Sequence, residues 1–310
     1  MRGRVIHIIL SAFLCASGSA QREVVGEIEL VQLQRRYNAV GWDDTPTADL
    51  EGPWRNLPEA GALEGRANSC ASVRSTLLDV VALDRDQRPF HEVPVWQLPS
   101  SRAFFFVSGM TIDADGAPTA YNPDDTGLDE LANAGTPAHW DGIVTDLDGN
   151  PLIQQEGDPF PGYYISCTSL SDNTKKFDDQ TGYVDASRTP YVVLPKDVAD
   201  RGGARLGDFA FVMNLRNGKS SFAIYADIGT LGEGSVALAD ALGIPSDARH
   251  GGQSDGILYL LFAGSGNLRP RTIHEIQSEG EALLVTHANK IRELSSCVES
   301  NDPLIAHRRF

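Results

Sequence analysis

The sequence predicts a mainly β protein, a compact and largely antiparallel barrel with a few short helices and a C-terminal helix. Three observations carry that prediction. Short β-branched or aromatic runs recur between turn residues. An Asn-Gly pair, Asn217-Gly218, stands between two apolar runs, which marks a tight type I′ hairpin. Strands and helices do not alternate at regular spacing, as the crossovers of a doubly wound parallel sheet would require.

The elements follow in order. "MRGRVIHIILSAFLCASGSAQ" places Arg2 and Arg4 before an apolar run and a small-residue cleavage pattern, so residues 1–20 read as a secretory signal peptide and the chain as secreted, extracellular or periplasmic. Leu14 precedes Cys15 where a lipid anchor needs a small residue, and no later run approaches the ~20 apolar residues of a membrane span, so no stable membrane anchor is expected. Residues 21–69, rich in Pro, Gly, Asp and Glu, show neither a period of 2 nor of 3.6 and read as an irregular lead-in. A single patterned domain is expected over 70–270. Its strands are "VPVWQL", "RAFFFVSGMTI", "GYYISCTSL", "PYVVLP", "DGILYLLFAG" and the hairpin pairing Phe209–Leu215 with Ser220–Asp227. "TGLDELANAG" and "SVALADALG" read as short helices stopped by glycine. "TIHEIQSEGEALLVTHANKIRELSSC" reads as a longer amphipathic helix in a C-terminal extension, 271–310.

A net charge of −16 over 310 residues disfavours nucleic acid as a partner and suits a polycation. Three cysteines remain beyond the signal peptide, Cys70, Cys167 and Cys297. The odd number suggests one bridge and one buried thiol, the bridge joining Cys70 to Cys297 at the edges of the patterned region. No CxxC, HExxH or close histidine pair points to zinc, so no metal is expected. "IDADGAP" and "TDLDGN" contain D-x-D-G but lack the glycine and glutamate of a calcium loop, and read as turns built on acidic side chains.

"FAIYADIGTLGEGSVALADALGI", residues 222–244, raises a choice. Gly232, Gly234 and Ala237 fit the G-x-G-x-x-A spacing of dinucleotide-binding turns, yet Glu233 sits between the glycines and would bring negative charge to the place of a pyrophosphate. The same features suit acid/base chemistry. Asp227 ends an apolar strand, where burial raises a carboxyl pKa and keeps a proton available. Glu233 lies at the start of "SVALADAL", where helix amides favour the ionised form. A short glycine turn can hold two carboxyl groups about 6.5–9.5 Å apart, as an inverting glycosidase needs for its water. The same residues also suit purely structural roles, Asp227 capping a turn and Glu233 a helix.

"GMTIDADGAPTAY", "PYVVLP", "LGDFAFV", "ADIGTLGEGSVALADALGI" and "GGQSDGILYLLFAGS" occur in the order found in the chitosanases of glycoside hydrolase family 75, which the chain resembles over roughly residues 104–266. The resemblance implies endo-hydrolysis of β-1,4-linked glucosamine polymers with inversion and without a cofactor. It carries the family's catalytic pair onto Asp227, with Gly229, and Glu233, with Ser235. The strand and turn pattern is also similar to a six-stranded double-psi β-barrel, a fold shared by some cellulases and peptidoglycan-cleaving enzymes. A cationic polysaccharide, chitosan, agrees with the acidic charge. Asp113 and Asp115 are candidates for amine-binding subsites, and Trp140, Tyr163 and Tyr164 for stacking on sugar faces. The rival readings are a glycan-cleaving enzyme acting on peptidoglycan or β-glucan, and a non-catalytic glycan-binding protein.

Overall fold

The computed structural model describes residues 75–82, 91–98, 101–137 and 139–301; the expected signal peptide, lead-in and Cys70 lie outside them. In chain order the strands are β1 (Ser75–Ala82), β2 (His91–Gln97), β3 (Phe104–Asp113), β4 (Gly135–Thr136), β5 (His139–Trp140), β6 (Tyr191–Leu194), β7 (Phe209–Asn214), β8 (Ser220–Ile228), β9 (Glu233–Ser235) and β10 (Gln253–Phe262). The helices are α1 (Lys196–Gly202), α2 (Val236–Leu242) and α3 (Ile273–Asn301). Six strands close on themselves in the order β3, β10, β7, β8, β6, β9 and back to β3, giving the expected six-stranded barrel. Two of its seams, β6–β8 and β3–β9, are parallel. The β1–β2 hairpin joins the start of β3 through Trp96 and Gln97.

Alternation along the strands builds two cores, one on each face of the barrel wall. Phe104, Phe106, Met110, Ile112, Val192, Leu194, Tyr225, Ile257 and Tyr259 share the first with Val198 of α1 and Leu238 and Leu242 of α2. Phe105, Tyr191, Val193, Phe209, Phe222, Ile224, Ala226, Leu258 and Leu260 share the second with Ile276 of α3 and with Ala114, Tyr121, Leu170 and Val184 from the long 114–190 connection. That connection therefore lies over the second face.

Local chemistry explains the helix ends. Ser235 Oγ accepts from Leu238 N at the start of α2, and Gly243 ends it at φ 65°. Thr272 and Glu275 exchange hydrogen bonds as a capping box at the start of α3.

Several expectations change. The hairpin loop spans 215–218, closed by Asn214 N donating to Lys219 O, and is longer than a type I′ turn. Gly218 takes positive φ, 76°, but Asn217 does not; its side chain instead donates to Leu242 O and accepts from Lys219 N. "GYYISCTSL" forms isolated bridges, Ile153 with Tyr164 and Ile143 with Ser166. The Gln180 amide engages one edge of the backbone at Ser166, as acceptor from its N and donor to its O, in place of a neighbouring strand on that edge. "TGLDELANAG" yields only a 3-10 turn, Leu131–Ala134, because Asp125 and Asp129 carboxyls take the amides of Leu131 and Glu130. Cys167 is disulfide-bonded, so it is not the spare buried thiol; position at the edge of a patterned region does not decide which Cβ atoms come within bonding reach.

Candidate active site

Register brings the acids to one face. Strands β3 and β9 run parallel with Thr111 opposite Glu233 and Asp113 opposite Ser235. Paired residues share a face, and Ile112 belongs to the first core, so Glu233 and Asp113 lie on the second face. Asp227 reaches it differently. In β8, Tyr225 pairs with Val192, but Asp227 pairs with Val193, with a register shift between. Strict alternation would put Asp227 beside Tyr225 on the first face. The bulge at Ala226 turns it over, and Ile228 then resumes the first face. Bulges re-aim side chains in this way beside functional sites.

Asp227 is 7 % exposed. Its Oδ1 accepts from Ser169 N at 3.0 Å, Ser169 Oγ at 2.6 Å and Ile228 N at 2.8 Å. Burial raises its pKa from 3.8 to about 6; the Ser169 and Ile228 hydrogen bonds hold it down, and the Glu233 charge adds to the rise. None of the ion pairs among the described residues includes Asp113, Asp115 or Asp227.

Glu233 belongs to β9 and not, as expected, to the first turn of α2, whose N-cap is Ser235. Its Oε2 accepts from Thr230 N at 2.8 Å. A Cβ on Gly229 would stand 2.8 Å from Glu233 Oε2 and 2.9 Å from Val193 Cγ1. The glycine thus makes room for the carboxylate beside Asp227. Gly229→Ala is expected to displace Glu233 and cut catalytic turnover by about tenfold to a hundredfold with little change in KM, following the sensitivity of catalysis to ~1 Å misplacement. Wild-type kcat in this variant would remove the steric argument.

Asp113 and Asp115 complete the cluster. Asp113 Oδ1 accepts from Asp115 N at 2.8 Å. Burial, followed by the charges of Asp227 and Glu233, pushes the Asp113 carboxyl well above the usual range, and burial with Asp113 and Asp227 does the same to Asp115. Tyr121 Oη donates to Asp115 Oδ1 at 2.6 Å and lies 3.3 Å from Asp129 Oδ2. Tyr191 Oη donates to Asp115 O. Arg249 fixes the neighbouring loop by donating to Gly127 O, Asp125 O and Asp129 O. A Cβ on Gly142 would fall 2.5 Å from Asp115 Oδ1, so the glycine clears space for this carboxyl too. "TDLDGN" is a turn, with Asp146 Oδ1 accepting from Asp148 N and Asn150 N; "IDADGAP" is also a turn, and it carries Asp113 and Asp115.

The aromatic candidates lie on the covering segment. Trp140 in β5 and Tyr164 are half-buried against the second core, and Tyr163 sits edge-on to Phe160 at 6.2 Å. Tyr164 N donates to Tyr121 O, which ties this segment to the Asp115 side of the cluster. A separate pocket of about 550 Å³, lined in part by Gly116, Phe160, Gln180, Tyr183 and Arg188, contains none of the four carboxyl groups. Sequence reasoning missed Ser169, Tyr121, Asp129 and Tyr191. The two tyrosines stand inside quoted motifs, "GAPTAY" and "PYVVLP"; Ser169 carries no local signal, since its partner is 58 residues away. Among the described residues, no three His, Cys, Asp or Glu side chains are arranged to hold a metal ion.

Residues 110–293 match the family model for fungal chitosanase of glycosyl hydrolase group 75, a span that contains all four carboxyl residues. No curated protein matches the chain.

Proposed function

Because the chain belongs to the fungal chitosanase family, group 75 of the glycosyl hydrolases, and is a glycoside hydrolase acting on chitosan, we propose that it is a secreted, endo-acting enzyme that cleaves β-1,4 linkages with inversion. Asp227 protonates the leaving glycosidic oxygen. Glu233 takes a proton from the water that attacks C1 from the opposite side of the sugar ring. The observation that carries this reading is the shared face: the bulge in β8 and the parallel register of β9 bring both acids to the same side of the barrel wall. Their environments also differ as the two roles require. Asp227 is buried and holds its proton up to about pH 6, whereas the half-buried Glu233 receives an amide hydrogen bond from Thr230.

Asp113 and Asp115 supply the affinity for amines. An incoming ammonium group favours the ionised form of these crowded, half-buried carboxyls, whose pKa values burial and their mutual charges raise. Trp140, Tyr163 and Tyr164 are the candidates for sugar stacking along the covering segment.

Proton NMR of chitosan digestion tests the mechanism: the first reducing ends are expected as the α anomer, formed from a β-linked chain. Initial β product would indicate retention and overturn the assignment of Glu233 as base. Internal cleavage predicts a rapid fall in viscosity ahead of reducing-end release. Raising the salt concentration should weaken binding of the polycation through screening. Turnover of cell-wall sacculi or β-glucan exceeding that of chitosan would contradict the proposed amine subsites.

A further inference from the structure

Asp227 Oδ1 receives three donors, the amide and hydroxyl of Ser169 and the amide of Ile228, while Oδ2 takes part in no hydrogen bond among the described residues. A carboxyl oxygen offers two lone pairs, so Oδ1 is saturated and a proton on this side chain belongs on Oδ2. Ser169 is itself held against the bulge. Leu170 N donates to Ala226 O at 2.8 Å, and Thr168 Oγ1 donates to Leu170 O at 2.7 Å. The covering segment therefore grips both the bulged residue and the aspartate that the bulge turns over.

We propose that Ser169 is the positioning residue of the catalytic aspartate: by engaging Oδ1 with amide and hydroxyl together, it makes Oδ2 the atom that delivers the proton to the leaving oxygen. The inference rests on the assignment of Asp227 as the acid. In the step, the Oδ2–H bond breaks and an O–H bond forms on the glycosidic oxygen, which keeps the electron pair of its bond to C1. Water supplies the new C1–O bond, and its proton goes to Glu233. Asp227 is left as a carboxylate, and the Ser169 hydroxyl hydrogen bond strengthens as that charge develops. Ser169 thus makes Asp227 a stronger acid than its burial alone would allow.

The test is the pH dependence of kcat/KM together with ¹³C NMR titration of the Asp227 carboxyl. Ser169→Ala keeps the amide donor and removes the hydroxyl, so the Asp227 midpoint and the alkaline limb of activity are expected to move up together by roughly one pH unit, a tenfold change in the ionised fraction. Below that limb, turnover should fall by about tenfold. Ser169→Thr, which keeps the hydroxyl, should restore both. An Asp227 midpoint unchanged in Ser169→Ala overturns the proposal, even if activity is lost. Movement of the acidic limb instead would make Asp227 the base and overturn proton delivery from Oδ2. If Ser169→Ala does not fold, Ser169→Cys against Ser169→Thr carries the same comparison, since a thiol is a weaker donor. Failure of the underlying catalytic reading is seen separately, as activity retained in Asp227→Asn.

Discussion

Asp227→Asn is expected to lose roughly a thousandfold in chitosan turnover, within the range supplied by general acid–base catalysis, and yet to be more stable than the parent protein at neutral pH. The amide can leave its oxygen facing the Ser169 and Ile228 donors, so the fold has no reason to change. The stability gain follows from linkage. The folded-state pKa of Asp227 is raised from 3.8 to about 6, so between those values the native state binds more protons than the unfolded chain, and stability falls as pH rises. The full penalty is present above about pH 6. It amounts to roughly 2–3 kcal/mol, which the uncharged asparagine does not incur. Thermal unfolding at pH 7 should therefore show a rise in Tm on the order of 5 °C, shrinking to nothing below about pH 4, where the parent carboxyl is protonated in both states. Equal or lower Tm at pH 7 would mean that Asp227 is not strained by its burial.

Glu233→Gln is the second large effect. Turnover should again fall by roughly a thousandfold while chitosan binding persists, because glutamine keeps an acceptor for Thr230 N but cannot take a proton from water. This variant carries a second signature. The Glu233 charge contributes to the raised pKa of Asp227, so its removal should lower the Asp227 midpoint and shift the alkaline limb of the residual activity to lower pH. Carboxyl NMR and residual-rate profiles check this together. A midpoint unmoved by Glu233→Gln would place the two acids too far apart to share a sugar ring.

Much of this arrangement was legible in the residues. The apolar run ending at Asp227, the glycine turn and Glu233 marked a candidate pair, which capping roles fitted as well until the resemblance favoured it, and the strand runs marked the barrel wall. The placement of Glu233 was misread because an acidic residue just before "SVALADAL" resembles a first-turn residue; Ser235, two positions later, is the side chain that satisfies the Leu238 amide. The strand expected at "GYYISCTSL" failed for a related reason. A polar side chain distant in sequence, that of Gln180, took the hydrogen bonds that a neighbouring strand would have supplied.

Residue chemistry along the chain was enough to predict a β barrel, a net negative charge compatible with an amine-bearing polymer, and two carboxyl groups flanking a glycine turn. Period-2 burial, turn preference and charge are local properties, and they survive without knowledge of neighbours. Which way Asp227 points, and what holds it, was settled in three dimensions. Alternation from Ala223 through Tyr225 aims Asp227 into the first core; one extra residue in the parallel seam with β6 reverses it. Ser169 then reaches it from a segment far away in sequence. Closure of a six-stranded ring constrains every strand's register through its two partners at once, and that condition leaves no trace in a single strand's pattern.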